Sequence, residues 1–178
     1  VISLAADLKF KISGVDKDIS KNITARLTDI YKNQSFLQDA NPVIEGQIKQ
    51  AMYPYGYFAP RIRIINKSQS ARQVHLNHGP QLRVTSIHLS LSGEGKQNAQ
   101  LRQGIANFPV KKGSPLLTKT YESAKENLQS LAEHEGYLRA KFETAEVLID
   151  RKRYTANIKL VLNTGQQYYF GHVRFSPT

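Results

Sequence analysis

Five histidines, at positions 75, 78, 88, 134 and 172, are the residues with the widest chemical reach in this chain. Imidazole is the usual base, proton shuttle and metal ligand near neutral pH. Their spacing does not build a site. His75 and His78 stand three apart at the end of an extended run, with no carboxylate nearby to complete a metal set. His88 and His172 alternate with apolar neighbours, which predicts outward-facing strand positions. His134 lies between Glu133 and Glu135, but consecutive positions on a helix point apart, so the three do not form an acid–base group. A histidine just before Gly136 instead suits a helix C-terminus.

Other reactive patterns fail in the same way. The stretch Gly93–Asn98 (GEGKQN) has glycines but neither the spacing nor the lysine of a phosphate loop, and reads as a turn. No serine has a base and an orienting acid at readable spacing. With no cysteine there is no thiolate and no disulfide. The expectation is a binding protein with no catalytic residue, no metal and no cofactor.

The composition of the 178 residues, 40% hydrophobic and 22% charged, is that of a folded chain large enough for one domain or two small ones. No run approaches the roughly 20 apolar residues of a membrane-spanning helix. The opening VISLAA is either mature sequence or the remnant of a processed signal segment. A net charge of +11 favours anionic neighbours, although the basic residues are scattered and the densest run is Arg151–Arg153.

The elements that would position a binding surface come from a duplication. Gly56-Tyr57 returns as Gly136-Tyr137, 80 positions on, and Gly14 is matched by Gly93, 79 positions on. Gly79-Pro80-Gln81 returns as Gly165-Gln166-Gln167, 86 positions on. Apolar alternation precedes Gly14 (Leu8, Phe10, Ile12) and Gly93 (Ile87, Leu89, Leu91), as in strands with one buried face. After Gly165, Phe170, Val173 and Phe175 repeat the offsets of Val84, Ile87 and Leu89 after Gly79.

The first unit reads as strand 8–13, helix 17–32 capped by Asp16, a second helix from Asn41-Pro42, then strands near 60–66 and 72–78. Ile19, Ile23, Leu27, Ile30 and Tyr31 mark the inner face of the first helix. Val43, Ile44, Ile48 and Met52 or Ala51 mark that of the second. The second unit reads as strand 82–92, a short helix in 96–107, a helix over 118–135 with Thr118 as its N-cap, and a hairpin of 140–149 and 154–162. Tyr121, Ala124, Leu128, Leu131 and Ala132 form the stripe of its long helix. Gly136 ends that helix, since glycine takes a left-handed conformation without a Cβ clash. The fold class is therefore α+β, with two β-α-α-β-β modules, each a three-stranded mixed sheet covered by two helices. The expected boundaries are 1–80 and 81–166, with 167–178 as the first strand of a truncated third module. The repeat further predicts a glycine after Thr178, then a third helix pair.

With Tyr121–Phe142 and Asn163–Phe175 as the most specific segments, and Ala51–Ile62 and His78–Val84 in support, the chain resembles tandem POTRA (polypeptide-transport-associated) domains of the BamA/Omp85 superfamily. Within it the resemblance is to the TamA type, the translocation and assembly module subunit. The resemblance covers nearly the whole chain. It implies a periplasmic portion of a bacterial outer-membrane protein, with an outer-membrane barrel in cis that is absent from this chain. It also implies a TamB-like periplasmic partner docked through the first module, with unfolded outer-membrane protein clients and an anionic membrane surface as further partners. No enzymatic activity and no nucleic acid partner are implied.

A three-stranded sheet leaves edges where an extended segment can add as a further strand. The resemblance puts the edges at Arg61, Ile62, Arg63, Ile64 and Ile65 in the first module. In the second it puts the edge along Lys141–Ile149, with Lys141, Glu143, Ala145 and Val147 as the contact residues. The opposing view is that Arg61, Arg63 and Lys141 are charges that block pairing. The alternative function is a nucleic-acid-binding protein with two small basic α+β modules. That reading requires aromatics interleaved with Lys and Arg on one strand face.

Overall fold

The computed structural model describes residues 9–33, 41–68, 71–169 and 171. The chain divides into two compact units. One holds Val1–Arg83, Pro115–Thr118 and Arg151–Tyr154; the other holds Val84–Ser114, Lys119–Asp150 and Thr155–Thr178.

The first unit runs β1 (Lys9–Ser13), α1 (Lys17–Asn33), α2 (Asn41–Met52), β2 (Arg61–Ser68) and β3 (Ala71–Asn77). The carboxylate of Asp16 accepts the N–H of Asp18 at 3.1 Å and of Ile19 at 2.9 Å, which satisfies two free donors of the first turn of α1. Ile19, Ile23 and Leu27, four apart, are buried against Ile44, Ile48, Ala51 and Met52 of α2 and Val74 and Leu76 of β3. Each wholly buried side chain of this size contributes about 1.5–3 kcal/mol. Arg26 on α1 donates to the side chains of Gln47 and Gln50 on α2, which fixes how the two helices lie along each other.

Val43 was expected on the inner face of α2 but is 37% exposed. It is one residue before Ile44, about 100° round the helix from the Ile44–Ile48–Met52 stripe. Met52 leads into a single 3-10 turn, Tyr53–Tyr55, with Pro54 in its first positions; Gly56 then caps it at φ +81°. Pro54 therefore terminates α2 rather than kinking it.

The sheet order is β1-β3-β2. β1 lies parallel to β3 and β2 antiparallel to it, so the sheet is mixed and β2 is an edge.

The second unit repeats the order as β4 (Arg83–Ser92), α3 (Ala99–Ala106), α4 (Thr118–His134), β5 (Lys141–Asp150) and β6 (Thr155–Asn163). Its sheet order is β4-β6-β5, with β5 antiparallel to β6 and at the edge. Leu91, Leu101, Leu128, Ala132, Tyr137, Ala140 and Leu162 form the core. Tyr121, Ala124, Leu128 and Ala132 make the buried stripe of α4, as their spacing requires, and Leu131 packs against it partly buried.

The short helix begins later than position 96. Glu94–Gln97 form a 3-10 turn, and α3 starts after Asn98, whose side chain accepts the Leu101 N–H. The turn is held by packing. A Cβ on Gly95 would lie 2.7 Å from Thr164 Cγ2 and 2.9 Å from Tyr137 Cζ, so only glycine fits that approach.

The duplicated glycine signatures meet in space. In the first unit the Gly56 carbonyl accepts the Leu82 N–H at 2.8 Å, and Gln81 Nε2 donates to the Tyr55 carbonyl at 2.9 Å. In the second the Gly136 carbonyl accepts the Tyr168 N–H at 2.8 Å, and Gln167 Nε2 donates to the Glu135 carbonyl at 2.8 Å. The Gly-Tyr at the helix exit and the Gly-x-Gln after the hairpin are thus two halves of one joint, built twice. Of residues 167–178, Gln167–Tyr169 and Gly171 are described and lie outside any strand. Phe170, Val173 and Phe175 lie outside the described residues, as do His172, Leu8 and the side chain of Tyr31.

Candidate interaction surface

The edge strand β2 reads RIRIINKS, and its alternation divides it between two faces. Ile62 and Ile64 are half-buried and pack against the core beneath the helices. Arg61 and Arg63 are exposed and point to the helix-free face. Opposite them on β3 stand Asn77 and His75, and Ile65 is paired with Gln73. Lys11 and Ser13 of β1 flank Gln73 and His75 on the far side. Ser13 Oγ and His75 Nδ1 are 2.9 Å apart. A bulge between Asn66 and Ser68 interrupts the register near the end of the strand.

The second edge, β5, is longer and less regular. Lys141 pairs with Asn163 and Phe142 with Leu162, after which the register shifts and Thr144 meets Val161. Glu143 therefore sits in a bulge, where its carboxylate accepts from Asn163 Nδ2 at 2.9 Å. The bulge reverses the alternation. Lys141 lies on the helix-free face with Thr144 and Glu146, whereas Ala145 and Val147, paired with the buried Leu160 and Ile158, lie on the helix side. Lys141, Glu143, Ala145 and Val147 are thus all on the edge strand but are not on one face.

Two exposed apolar residues lie on this edge, inside the expected Lys141–Ile149 run but not among the four residues singled out there. Leu148 is 65% exposed and Ile149 is 39% exposed. Their signal was present: Val147-Leu148-Ile149 is an unbroken apolar run at the end of an edge strand, and alternation leaves at least one of the three outside.

His88 is exposed on β4, and His134 Nδ1 lies 2.7 Å from the Ser130 carbonyl at the end of α4. Among the described residues, no three of His, Asp or Glu stand close enough to hold a metal ion. A groove of about 320 Å³ runs between α3 and α4, past Gly104, Asn107, Phe108, Thr120, Ser123 and Asn127, and its lining carries no titratable group. The perturbed side chain of the second unit, Tyr121, is a core residue. Burial pushes its pKa up, and the neighbouring Glu122 carboxylate adds to the shift. Lys125 spans its ring at 5.1 Å while pairing with Glu122 at 3.0 Å.

Among the described residues, the helix-free positions of β1, β2 and β3 carry no Phe, Tyr or Trp, and the ring that stands between the cations there is the imidazole of His75.

No helix among the described residues is long and apolar enough to cross a membrane. The family model described as POTRA domain TamA domain 1 matches residues 9–85. Among solved structures the chain is similar to POTRA domains 3–5 of BamA from Haemophilus influenzae, with 14% identity and a TM-score of 0.46, covering 91% of this chain and 67% of that one. It is similar to BamA from Haemophilus ducreyi lacking POTRA domains 1–3, with 20% identity and a TM-score of 0.37, covering 90% of this chain and 29% of that one. It is also similar to POTRA domains 1–2 of the periplasmic domain of Omp85 from Anabaena, with 10% identity and a TM-score of 0.43, covering 92% and 96%. The chain thus spans less than a third of the Haemophilus ducreyi protein. The β-α-α-β-β order, the mixed sheet and the match to the POTRA family model of TamA domain 1 thus fall on the same stretch, residues 9–85.

Proposed function

We propose that this chain is the periplasmic interaction scaffold of an outer-membrane assembly or translocation factor. POTRA domains are protein-interaction modules. The first module would dock a TamB-like periplasmic protein, and the second would meet client chains on their way to the outer membrane. In this reading 1–80 and 81–166 are successive modules and 167–178 begins a third, ahead of a barrel in cis.

The observation that carries the reading is the open edge β2 within the stretch matched to TamA domain 1. A strand at a sheet edge presents unpaired N–H and C=O groups, and an added strand gains backbone hydrogen bonds largely independent of its sequence. Arg61, Ile62, Arg63, Ile64 and Ile65 form that edge, and Lys141, Glu143, Ala145 and Val147 supply the equivalent edge on β5.

A photo-crosslinking residue at Arg63, on the open edge, should capture a TamB-like protein in the cell envelope. The same group at Lys21, exposed on α1, should not. Equal capture from both positions, or none from either, would contradict the assignment of β2.

A further inference from the structure

The two sheets share a topology but not a charge pattern. On the helix-free face of the first sheet stand Lys9 and Lys11 of β1, His75 of β3, and Arg61 and Arg63 of β2. Lys9, Lys11, Arg61, Arg63 and His75 are all exposed. No carboxylate shares that face among the described residues. The corresponding face of the second sheet mixes signs: Lys141, Glu146 and Asp150 on β5, with Lys159 directly opposite Glu146.

A strand added to β2 would lie about 4.8 Å away, and its outward side chains would stand about 5 Å from those of Arg61 and Arg63. Its inward side chains would stand beside Ile62 and Ile64. Like charges directly opposite are unfavourable, and an exposed Lys or Arg left facing a carboxylate is favourable. The edge therefore discriminates by pattern.

Resting on the reading of β2 as a docking edge, we infer that β2 selects an extended protein segment with acidic residues at alternate positions and apolar residues between them. A basic or uncharged strand of the same β-propensity is disfavoured there. β5, with outward residues of both signs, has no such preference. A lipid surface would need only the cations. The half-buried Ile62 and Ile64 on the other side of the same edge give a strand, but not a headgroup, an additional place to bind.

The test uses the whole chain and three fluorescent nine-residue peptides alternating valine with glutamate, lysine or serine, with affinities measured by anisotropy at low salt. The glutamate peptide should bind about tenfold more tightly than the lysine peptide, an advantage that shrinks as salt rises. Replacing Arg61→Glu and Arg63→Glu together should invert that order, and Arg61→Gln with Arg63→Gln should erase it. Ile64→Pro, with folding checked by circular dichroism, should weaken all three peptides. Equal affinities that Ile64→Pro still abolishes would overturn the charge selection and leave the docking edge standing. Absence of any peptide binding would overturn both. Tight binding to phosphatidylglycerol vesicles, lost on charge reversal but kept in Ile64→Pro, with no preference among peptides, would assign the face to lipid and overturn the inference.

Discussion

Gln167 reaches from the segment after β6 to the carbonyl of Glu135 at the end of α4, donating at 2.8 Å; Gln81 does the same to Tyr55 in the first unit at 2.9 Å. Each glutamine takes up a carbonyl that a helix end leaves without an intrahelical donor. Each is followed by a residue whose N–H binds the carbonyl of the helix-ending glycine. The sequence repeat exists because this joint must be closed once per module.

The joint can be broken at its glycine. Gly136 has φ +89°, and a Cβ there would lie 2.7 Å from the Tyr168 carbonyl oxygen. Gly136→Ala should destabilise the second module by about 2 kcal/mol or more, combining left-handed strain with displacement of Tyr168. Gln167→Ala should cost about 1 kcal/mol, the net value of one hydrogen bond. Urea unfolding followed by circular dichroism would rank the two. A larger loss for Gln167→Ala than for Gly136→Ala would contradict this account of the joint.

Thr164 is wholly buried, and its hydroxyl both accepts the Gly95 N–H at 2.9 Å and contacts the Ser92 carbonyl at 3.1 Å. Thr164→Val keeps the shape and removes both bonds, leaving the Gly95 N–H without a partner in the interior. A loss of about 1–3 kcal/mol is expected, with Thr164→Ser retaining most of the stability. Denaturant midpoints of the two variants check it, and indistinguishable midpoints would refute it.

At the other end of the chain, Asp16→Ala removes the acceptor for the first-turn amides of α1. The cost should be about 1 kcal/mol, with Asp16→Asn recovering most of it. Amide exchange at Asp18 and Ile19 should accelerate in the alanine variant. Unchanged exchange would rule out the cap.

The raised pKa of Tyr121 gives a pH dependence of known sign. Its ordinary value is 10.0, and burial, assisted by Glu122, makes the folded phenol release its proton less readily than the unfolded one. A folded pKa above the unfolded one contributes stability that is complete below the unfolded pKa and disappears as pH rises through the folded value. The urea midpoint should therefore fall above about pH 10, and Tyr121→Phe should flatten that fall. A fall of equal steepness in the phenylalanine variant would show that Tyr121 is not its source.

Much of the fold was legible because the repeat fixed element order twice over. The Tyr121–Ala132 stripe and the Asp16 cap are local chemistry, and local chemistry is written in spacing. Three features were not legible. The bulge at Glu143 flips Lys141 away from Ala145 and Val147, and nothing in KFETAEVLID marks where a register shifts. The Glu94–Gln97 turn depends on Gly95 touching Thr164 and Tyr137, which are distant in sequence. The common face of Lys11, His75 and Arg63 depends on β1 pairing parallel with β3, a long-range choice that alternation along a single strand does not encode.

The most direct measurement is amide hydrogen exchange along β2 in the presence and absence of a bound partner segment. Addition of a strand predicts new protection at alternate amides of Arg61–Ile65, those directed away from β3, with no change in β3 itself, whose amides are already paired. Protection confined to the helices, or to no part of β2, would contradict docking at this edge.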